Sequence, residues 1–364
     1  MKLSTKVLVI GGGPAGAMAA RCLAEHGVDV LLLEKNMSFR KPCGGGISLT
    51  AFDELGIPKT AIKRVVQSFR IVSPQGAQID LDLKGSRLAI VERQEFDAAM
   101  RKQAEASGAR VMEGEFCGII NGRRHEITAN IAGSATAIAS EFVIAADGVN
   151  SRVRTVLGIK PARSFFTASE HIAGQHTDCC EFWFGASHAP LAYSWVFPAD
   201  GGISFGTGCF EPGKISLYFE KFKERKGIVT GKRRRKIYRI PIWKGDLYNK
   251  EKIFFTGDSA GQVMPLTYEG IYYAMKAGQF AAQAVLEKKA DNYRRIWTNS
   301  FQKRFRLMEK LRNYFLRDDE SAERLVALHR REEIREASLR LWVRHSSSTD
   351  SIPGYMKFFG KFLR

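Results

Sequence analysis

Glycines near the start of the chain are the first residues whose spacing points to chemistry. Gly11, Gly13 and Gly16 form a Gly-x-Gly-x-x-Gly pattern. Glycines so spaced permit a tight turn, close approach of the backbone to a pyrophosphate, and close packing of a helix on a strand. Glu34 follows at the distance at which an acidic side chain accepts a hydrogen bond from a ribose hydroxyl. The pattern predicts a dinucleotide-binding site that comprises Gly11, Gly13, Pro14, Ala15, Gly16, Glu34 and Lys35.

The elements around these glycines are the ones that such a site requires. Residues 6–10 and 28–33 are apolar runs, as expected of strands that are buried on both faces. Residues 17–24 between them have the composition of a helix. The start of that helix would present free N–H groups and the positive end of its dipole to the phosphates. We therefore expect a βαβ unit of the Rossmann type at the beginning of the chain.

Two later segments indicate which dinucleotide is bound. Residues 142–154 contain Asp147-Gly148, and residues 253–261 contain Gly257-Asp258 directly after an apolar run. A carboxylate at the end of such a strand can lie near the ribose and ribityl hydroxyls of an extended flavin nucleotide. The Gly-x-Gly-x-x-Gly pattern and these two segments, in this order, resemble the motifs of FAD-dependent oxidoreductases related to aromatic hydroxylases. The resemblance implies that FAD is the cofactor and that Asp147 and Asp258 bind it.

The same resemblance implies roles for two further positions. Arg93 begins an Arg-x-x-Phe-Asp sequence that ends at Asp97. By resemblance, Arg93 contacts FAD, whereas Phe96 and Asp97 mainly set the start of a helix. Cys117 stands where the family places backbone near the adenine of FAD.

Two other segments narrow the class of flavoenzyme. Residues 42–44 read Pro-Cys-Gly, and residues 193–198 read Tyr-Ser-Trp-Val-Phe-Pro. Both resemble segments of the geranylgeranyl reductase family, which saturates isoprenoid double bonds in lipid, pigment and quinone precursors. The resemblance places Cys43 and Gly44 beside the flavin.

A third element, near residue 268, matches this family in part. Pro265 and the pair Glu269-Gly270 match the pattern, and the resemblance implies that Gly270 and Ile271 contact FAD. Tyr268, however, stands where the resemblance predicts a glycine.

The residue types alone leave two interpretations open at both segments. Tyr193, Trp195 and Phe197 are two residues apart, which places them on one face of a strand. Such a face either packs in a core or forms an apolar wall for a polyprenyl chain. Cys43 lies among glycines and is either a reactive thiol or a small residue in a tight loop.

The expected reaction is reduction of an alkene. Reduced FAD would deliver a hydride to one carbon of a prenyl double bond, and Cys43, Tyr193 or water would supply a proton to the other. The chain lacks a second Gly-x-Gly-x-x-Gly pattern. The electron donor therefore stays open between NAD(P)H and a small redox protein.

Three other functions compete with this interpretation. An FAD-dependent aromatic monooxygenase or hydroxylase would use the same fold and consume oxygen. A flavin-dependent halogenase is a weaker alternative, because two side chains of its Trp-x-Trp-x-Ile-Pro motif differ in residues 193–198. A flavin-containing lipid-binding protein without turnover is the non-enzymatic alternative.

The distribution of these motifs predicts an α/β protein with two interleaved domains. β-type runs between residues 161 and 250, and a shorter stretch at 65–81, indicate an antiparallel sheet above the substrate. We expect a discontinuous Rossmann-like FAD-binding domain (1–64, 86–160 and 251–290), an antiparallel-sheet substrate domain (65–85 and 161–250) and a C-terminal helical region (291–364).

Composition limits the partners and the compartment. The formal net charge is +18, which favours an anionic substrate or membrane surface. No nucleic-acid-binding motif accompanies it. Six scattered cysteines without a C-x-x-C pair argue against a metal site and a disulfide framework. The first residues do not form a secretory signal pattern, so we expect a cytoplasmic location. Oligomeric state is not indicated.

The last residues suggest a peripheral membrane contact. Residues 352–364 combine aromatic side chains with cations and contain no acidic residue. A segment of this composition can lie in a bilayer interface, although it can also be a last helix docked on the body. No apolar run is long enough to predict a spanning helix.

Overall fold

The structure is a computed structural model that describes residues 2–229 and 235–342. The described strands, in chain order, are β1 (Lys2–Ile10), β2 (Val30–Glu34), β3 (Gly46–Ser48), β4 (Ile62–Val66), β5 (Ser68–Val72), β6 (Gln78–Asp82), β7 (Leu88–Val91), β8 (Arg110–Glu113), β9 (Glu115–Ile120), β10 (His125–Ile131), β11 (Ser134–Ala145), β12 (Ser164–Ala173), β13 (Cys180–Trp183), β14 (Ser194–Ala199), β15 (Gly202–Cys209), β16 (Lys236–Pro241), β17 (Asn249–Lys250) and β18 (Ile253–Phe255).

Helices cover the sheets and form the end of the described chain. They are α1 (Pro14–Glu25), α2 (Leu49–Leu55), α3 (Arg93–Ala106), α4 (Arg152–Val156), α5 (Ile215–Lys226), α6 (Ile271–Leu286), α7 (Asp291–Trp297), α8 (Lys303–Phe315), α9 (Asp319–Leu328) and α10 (Glu332–Trp342). A π-helical turn, Thr298–Gln302, joins α7 to α8.

The first sheet places the glycine motif at the carboxyl end of a parallel strand. Its strands follow the order β17-β18-β11-β1-β2-β8, and β10 and β9 extend β11 on one side. β1 pairs in parallel with β2 and with β11, and β11 pairs in parallel with β18. The two Asp-containing motifs follow β11 and β18, so all three predicted nucleotide motifs lie at one edge of this sheet, where open α/β sheets bind ligands.

The second sheet has seven strands and forms the roof above that edge. Its order is β16-β12-β15-β14-β13-β5-β6. All its pairs are antiparallel except β5 with β13, which is parallel. α5 packs on the outer face, where the rings of Phe205 and Phe219 stack at 5.3 Å between centroids. The inner face is left for the cleft.

A third, three-stranded sheet was not predicted from the sequence. β7 lies between β3 and β4, and both pairs are antiparallel. Gly45 has φ +76°, a left-handed conformation that favours glycine, and its carbonyl accepts a hydrogen bond from Val91 N at 2.9 Å. The glycines after Cys43 therefore start a strand that ties this loop to α3.

The C-terminal helices bury five apolar side chains that are spaced three or four residues apart. Phe301, Phe305, Met308, Leu311 and Phe315 are all 5 % exposed or less. They join the largest core cluster together with residues of α1 and α6. The helical region is therefore part of the main body. Residues 352–364, for which the sequence suggests a membrane contact, lie outside the described residues.

The predicted fold class is confirmed: a mixed α/β protein with a Rossmann-like domain, an interleaved second sheet and C-terminal helices. Within 2–229 and 235–342, no helix is long and apolar enough to cross a membrane. The same residues contain no cluster of His, Cys, Asp and Glu able to hold a metal ion.

Candidate active site

A deep cleft of about 570 Å³ lies between the first and second sheets. This volume is within the range of roughly 300–1,000 Å³ that is typical of cofactor and ligand pockets. The glycine motif and Glu34 line one end, and Tyr193, Trp195 and Phe197 line the other. The cleft therefore joins the predicted nucleotide site to the predicted substrate wall.

At the nucleotide end, the backbone is shaped for a close ligand. Gly11 has φ +101°, and a Cβ there would lie 2.4 Å from the Ala146 carbonyl oxygen. A Cβ on Gly13 would meet no protein atom within 4 Å, so space is open beside the start of α1. Gly16 does not line the cleft; a Cβ there would lie 1.9 Å from Gly11 O, because α1 packs directly on the turn. This open space at a helix N-terminus fits the pyrophosphate of FAD.

Glu34 fixes the same turn from the second strand. One carboxylate oxygen accepts a hydrogen bond from Gly12 N at 2.6 Å, and the other accepts one from Asn36 N at 3.0 Å. Pro14, Ala15 and Lys35 also line this end of the cleft. Each carboxylate oxygen keeps acceptor capacity for a ribose hydroxyl.

The two predicted aspartates have different surroundings. Asp147 Oδ2 accepts a hydrogen bond from Val153 N at 3.0 Å, whereas Oδ1 is buried without a hydrogen-bond partner among the described residues. Burial raises the pKa of Asp147. Asp258 Oδ2 lies 2.5 Å from Lys41 Nζ, an ion pair that the sequence did not predict. An acceptor left free in a buried site is what a bound cofactor hydroxyl would satisfy.

Arg93 lines the cleft and forms a buried ion pair with Asp97. Its Nε and Nη2 bind the two oxygens of Asp97 at 3.1 and 2.9 Å, and the Cys43 thiol is a further hydrogen-bonding neighbour. The helix start is set by Glu92, whose side chain accepts from Glu95 N at 3.0 Å. Asp97, four residues into the same helix, holds the Arg93 side chain through an i,i+4 ion pair.

Cys117 does not line the cleft. The lining strand residues at this point are Gly114, Glu115 and Phe116. Cys117 is in β9, and its thiol lies 3.4 Å from the Glu115 carbonyl oxygen.

Tyr193, Trp195 and Phe197 form an aromatic wall of the cleft, and two glycines of β15 make room for Trp195 and for the nearby Phe165. Tyr193 precedes β14, and Trp195 and Phe197 are in it. A Cβ on Gly206 would lie 2.4 Å from the Trp195 ring, and one on Gly208 would lie 2.3 Å from the Phe165 ring. The Gly-x-Gly of β15 therefore provides the room in which these rings lie flat on the sheet.

Tyr193 is fastened to the loop that precedes α6. Its hydroxyl donates a hydrogen bond to the Thr267 carbonyl. Burial raises the pKa of the Tyr193 phenol well above its ordinary value. The phenol therefore keeps its proton at physiological pH and can act only as a donor or as a neutral acceptor.

The Cys43 loop meets the aromatic wall directly. Cys43 is exposed in the cleft, and Gly45 N lies 3.3 Å from its Sγ. A Cβ on Gly44 would be 2.7 Å from the Phe197 ring. Gly44, Gly270 and Ile271 also line the cleft. The structure thus brings together the segments at 42–44 and 193–198, which are far apart in sequence.

Several lining residues were missed by sequence reasoning. They are Lys41, Phe165, Phe182, Phe184 and Tyr238. Phe182 lies edge-on to both Tyr193 and Phe197, with centroids at 5.1 and 5.3 Å. The strand around Phe182 was predicted, but its inner face could be assigned only once its pairing with β14 was known.

The chain is similar to known flavoproteins over most of its length. Residues 4–196 match a family model described as an FAD binding domain. The chain is 28% identical over 358 residues to a chloroplastic geranylgeranyl diphosphate reductase of Arabidopsis thaliana, covering 89% of this chain and 77% of that protein. It is 31% identical to a digeranylgeranylglycerophospholipid reductase of Methanosarcina acetivorans, covering 82% of this chain and 81% of that protein.

A solved structure shares the whole fold. It is a geranylgeranyl bacteriochlorophyll reductase-like protein from Thermoplasma acidophilum, with a TM-score of 0.83, 23% identity and full coverage of both chains. The predicted cofactor, FAD, and the predicted class, an FAD-dependent oxidoreductase, are confirmed by the family match and the relatives together. The chain belongs to the geranylgeranyl reductase family of FAD-dependent oxidoreductases.

Proposed function

We propose that this protein saturates carbon–carbon double bonds of a geranylgeranyl-type chain in a lipid, quinone or pigment precursor. The observation that carries the proposal is the continuity of the cleft. One cavity runs from Gly13 and Glu34 to the rings of Tyr193 and Phe197. A polyprenyl chain needs apolar surface with few polar groups, which this wall supplies next to the flavin end.

FAD, when bound, supplies the hydride for this reaction. The open space at Gly13 would take its pyrophosphate, and Glu34, Asp147 and Asp258 would accept hydrogen bonds from its hydroxyls. Arg93, whose guanidinium Asp97 holds in place, would face the flavin. A guanidinium fixed in position would stabilise negative charge that develops beside it better than mobile water does.

The aromatic wall has the task of positioning the alkene. The ring of Phe182 packs edge-to-face against both Tyr193 and Phe197, so it links these two rings. A rigid apolar wall orients a flexible chain and excludes water from the reacting carbon atoms. We infer that these rings hold one double bond against the flavin at a time.

Two side chains in the cleft are candidate donors of the proton for the second alkene carbon. Cys43 Sγ is exposed in the cleft beside Arg93, whereas the Tyr193 hydroxyl is hydrogen-bonded to the Thr267 carbonyl. The Tyr193 phenol is a poor acid here, because burial raises its pKa. We therefore propose Cys43 as the donor, reprotonated from water, with Tyr193 as a positioning residue.

The electron donor is proposed only as a class. NAD(P)H and a small redox protein both suit a chain whose described part has a single dinucleotide motif. Reduction of the bound FAD by NADPH, followed at its visible absorbance band, would favour the first. Absence of reduction by both nicotinamides would favour the second.

Identification of bound lipid tests the substrate class. Protein purified without detergent would be extracted with organic solvent, and the extract analysed by mass spectrometry. We expect unsaturated or partly saturated prenyl compounds. Oxygen uptake coupled to NAD(P)H oxidation by an aromatic substrate would instead favour a hydroxylase. A retained prenyl lipid that is never reduced would favour a lipid-binding protein without turnover.

We also propose a cytoplasmic protein that contacts the membrane through residues 352–364. The proposal depends on sequence alone, namely the aromatic and cationic composition of this segment. Full-length protein and a variant ending at residue 351 would be sedimented with anionic vesicles. Reduced co-sedimentation of the shorter protein is expected, and equal co-sedimentation would contradict the anchor.

A further inference from the structure

Tyr268 adopts a backbone conformation that suits glycine better than tyrosine. Its φ is +51°, in the left-handed region that side chains with a Cβ avoid. It occupies the position at which the family resemblance predicts a glycine. The loop therefore keeps a glycine-like path, and what the substitution adds is a side chain in the cleft.

The ring of Tyr268 is held in a defined place. It stacks on Phe165 with centroids 4.3 Å apart and planes 11° from parallel. Phe165 in turn lies on Gly208, so a glycine and two rings form three layers on the inner face of the roof. The centroid of Tyr193 is 6.0 Å from that of Tyr268.

Polar contacts fix the other end of the side chain. The Tyr268 hydroxyl lies 3.3 Å from the Leu191 carbonyl oxygen, to which it donates, and Arg312 of α8 is a further hydrogen-bonding neighbour. The Arg312 guanidinium also lies over the ring of Phe210, 5.6 Å from its centroid. Helix α8 thus fixes the hydroxyl end of the Tyr268 side chain through Arg312, while the ring lines the cleft.

We propose that Tyr268 is a specificity-determining residue that narrows the apolar part of the cleft, so that slender linear prenyl chains are accepted and ring-ended isoprenoids are rejected. The inference rests on the proposed function of the same cleft. The ring fills space between Phe165 and Tyr193 that a glycine would leave empty. Because Arg312 contacts both the Tyr268 hydroxyl and the Phe210 ring, the Tyr268 ring has little room to move away from a bulky ligand.

The experiment compares holoprotein carrying Tyr268→Gly, Tyr268→Asn or Tyr268→Phe with the wild type. Glycine and asparagine both tolerate a left-handed backbone, so these variants should fold and retain FAD. Phenylalanine keeps the ring and loses only the hydroxyl. Flavin content and thermal midpoint would be recorded for each.

The readout is binding, measured from perturbation of the flavin absorbance by two ligands. The probes are geranylgeraniol, which is linear, and retinol, which has the same carbon number and a terminal ring. The wild type and Tyr268→Phe should prefer geranylgeraniol. Loss of the ring should reduce that preference roughly tenfold in the ratio of dissociation constants, a usual size for a change in pocket shape.

Each result decides a separate question. An unchanged ratio in both Tyr268→Gly and Tyr268→Asn, with FAD retained, would overturn the role of Tyr268. Failure of the small variants to load FAD would also contradict it, because the side chain would then be structural. Tight binding of geranylgeraniol without any reduction would contradict the proposed function alone, since the binding ratio would still report on Tyr268.

Discussion

Gly44 lies directly against the ring of Phe197. A Cβ at position 44 would be 2.7 Å from ring Cδ2 and 2.8 Å from Cε2, closer than real Cβ contacts. This contact joins the thiol loop to the aromatic wall, so that Cys43 and Phe197 face the same space. The absence of a side chain at Gly44 is therefore what lets the two segments meet.

Replacing Gly44 by alanine should disturb the wall. Overpacking a tight site costs about 1–3 kcal/mol, and here the Phe197 ring or the Cys43 loop has to move. We expect a lower thermal midpoint and a higher KM for the prenyl substrate. Gly213→Ala is the matched control, since a Cβ there meets nothing within 4 Å. Equal behaviour of the two variants would contradict the contact.

The buried ion pair of Arg93 and Asp97 should matter far more than a similar pair on the surface. Their side chains are 5 and 7 % exposed, whereas Asp80, which makes an equivalent two-point pair with Arg70, is 59 % exposed. Removing one partner of a buried pair costs about 3–5 kcal/mol, whereas an exposed pair contributes about 0–1 kcal/mol.

Urea denaturation of Asp97→Asn and Asp80→Asn tests this difference. Asp97→Asn should lower the free energy of unfolding by several kcal/mol, on the order expected for an uncompensated buried charge, and should weaken FAD retention. Asp80→Asn should have little effect on either. Similar losses in the two variants would show that burial does not set the strength of the Arg93 pair.

Alanine substitutions at two glycines of the nucleotide motif should have different effects on stability and on FAD binding. Gly13→Ala places a methyl group in open space, so the apoprotein should unfold at the wild-type temperature but lose FAD. Gly16→Ala places a methyl group 1.9 Å from Gly11 O, so the apoprotein itself should be destabilised. Thermal melts of both apoproteins and flavin titrations would separate the two effects. Normal FAD binding by Gly13→Ala would contradict the assignment of the pyrophosphate site.

Acid should weaken the roof through His188. This residue is fully buried, its Nδ1 lies 2.8 Å from Ser194 Oγ, and burial together with Arg225 lowers its pKa to about 4. Between pH 6.5 and that value the unfolded chain binds a proton that the native protein does not. The contribution of neutral His188 to the free energy of unfolding is therefore fully present above pH 6.5. It is lost as pH decreases, by about 2 kcal/mol at pH 5.

His188→Asn should flatten this dependence, because an amide does not titrate. The free energy of unfolding would be measured between pH 7 and pH 5 for both proteins. A slope equal to that of the wild type would assign the acid sensitivity to other groups. Ser194, the hydrogen-bond partner of His188, directly follows Tyr193, so the result also bears on the aromatic wall.

Local motifs predicted much of this molecule. Gly11, Gly13 and Glu34 identify a dinucleotide site because each residue type answers a local steric or hydrogen-bonding need. The aromatic face of Tyr193, Trp195 and Phe197 was predicted by spacing alone, since alternation along a strand is a local rule. Such features can be read without knowing what lies opposite them.

Features that depend on distant partners were not predicted. Lys41 pairs with Asp258 across more than half of the chain, and the stacking of Tyr268 on Phe165 joins two separate segments.

Anaerobic reoxidation of the reduced protein is the decisive test of prenyl reduction. Dithionite-reduced holoprotein would be mixed with geranylgeranyl diphosphate without oxygen, in deuterated and in ordinary water, and the flavin absorbance and product mass followed together. We expect recovery of the oxidised flavin band and a product that gains two hydrogen atoms per double bond. In deuterated water both carbons should carry deuterium, because the hydrogen on N5 of dithionite-reduced flavin also comes from solvent. A flavin that stays reduced with every geranylgeranyl compound, although each binds, would contradict it.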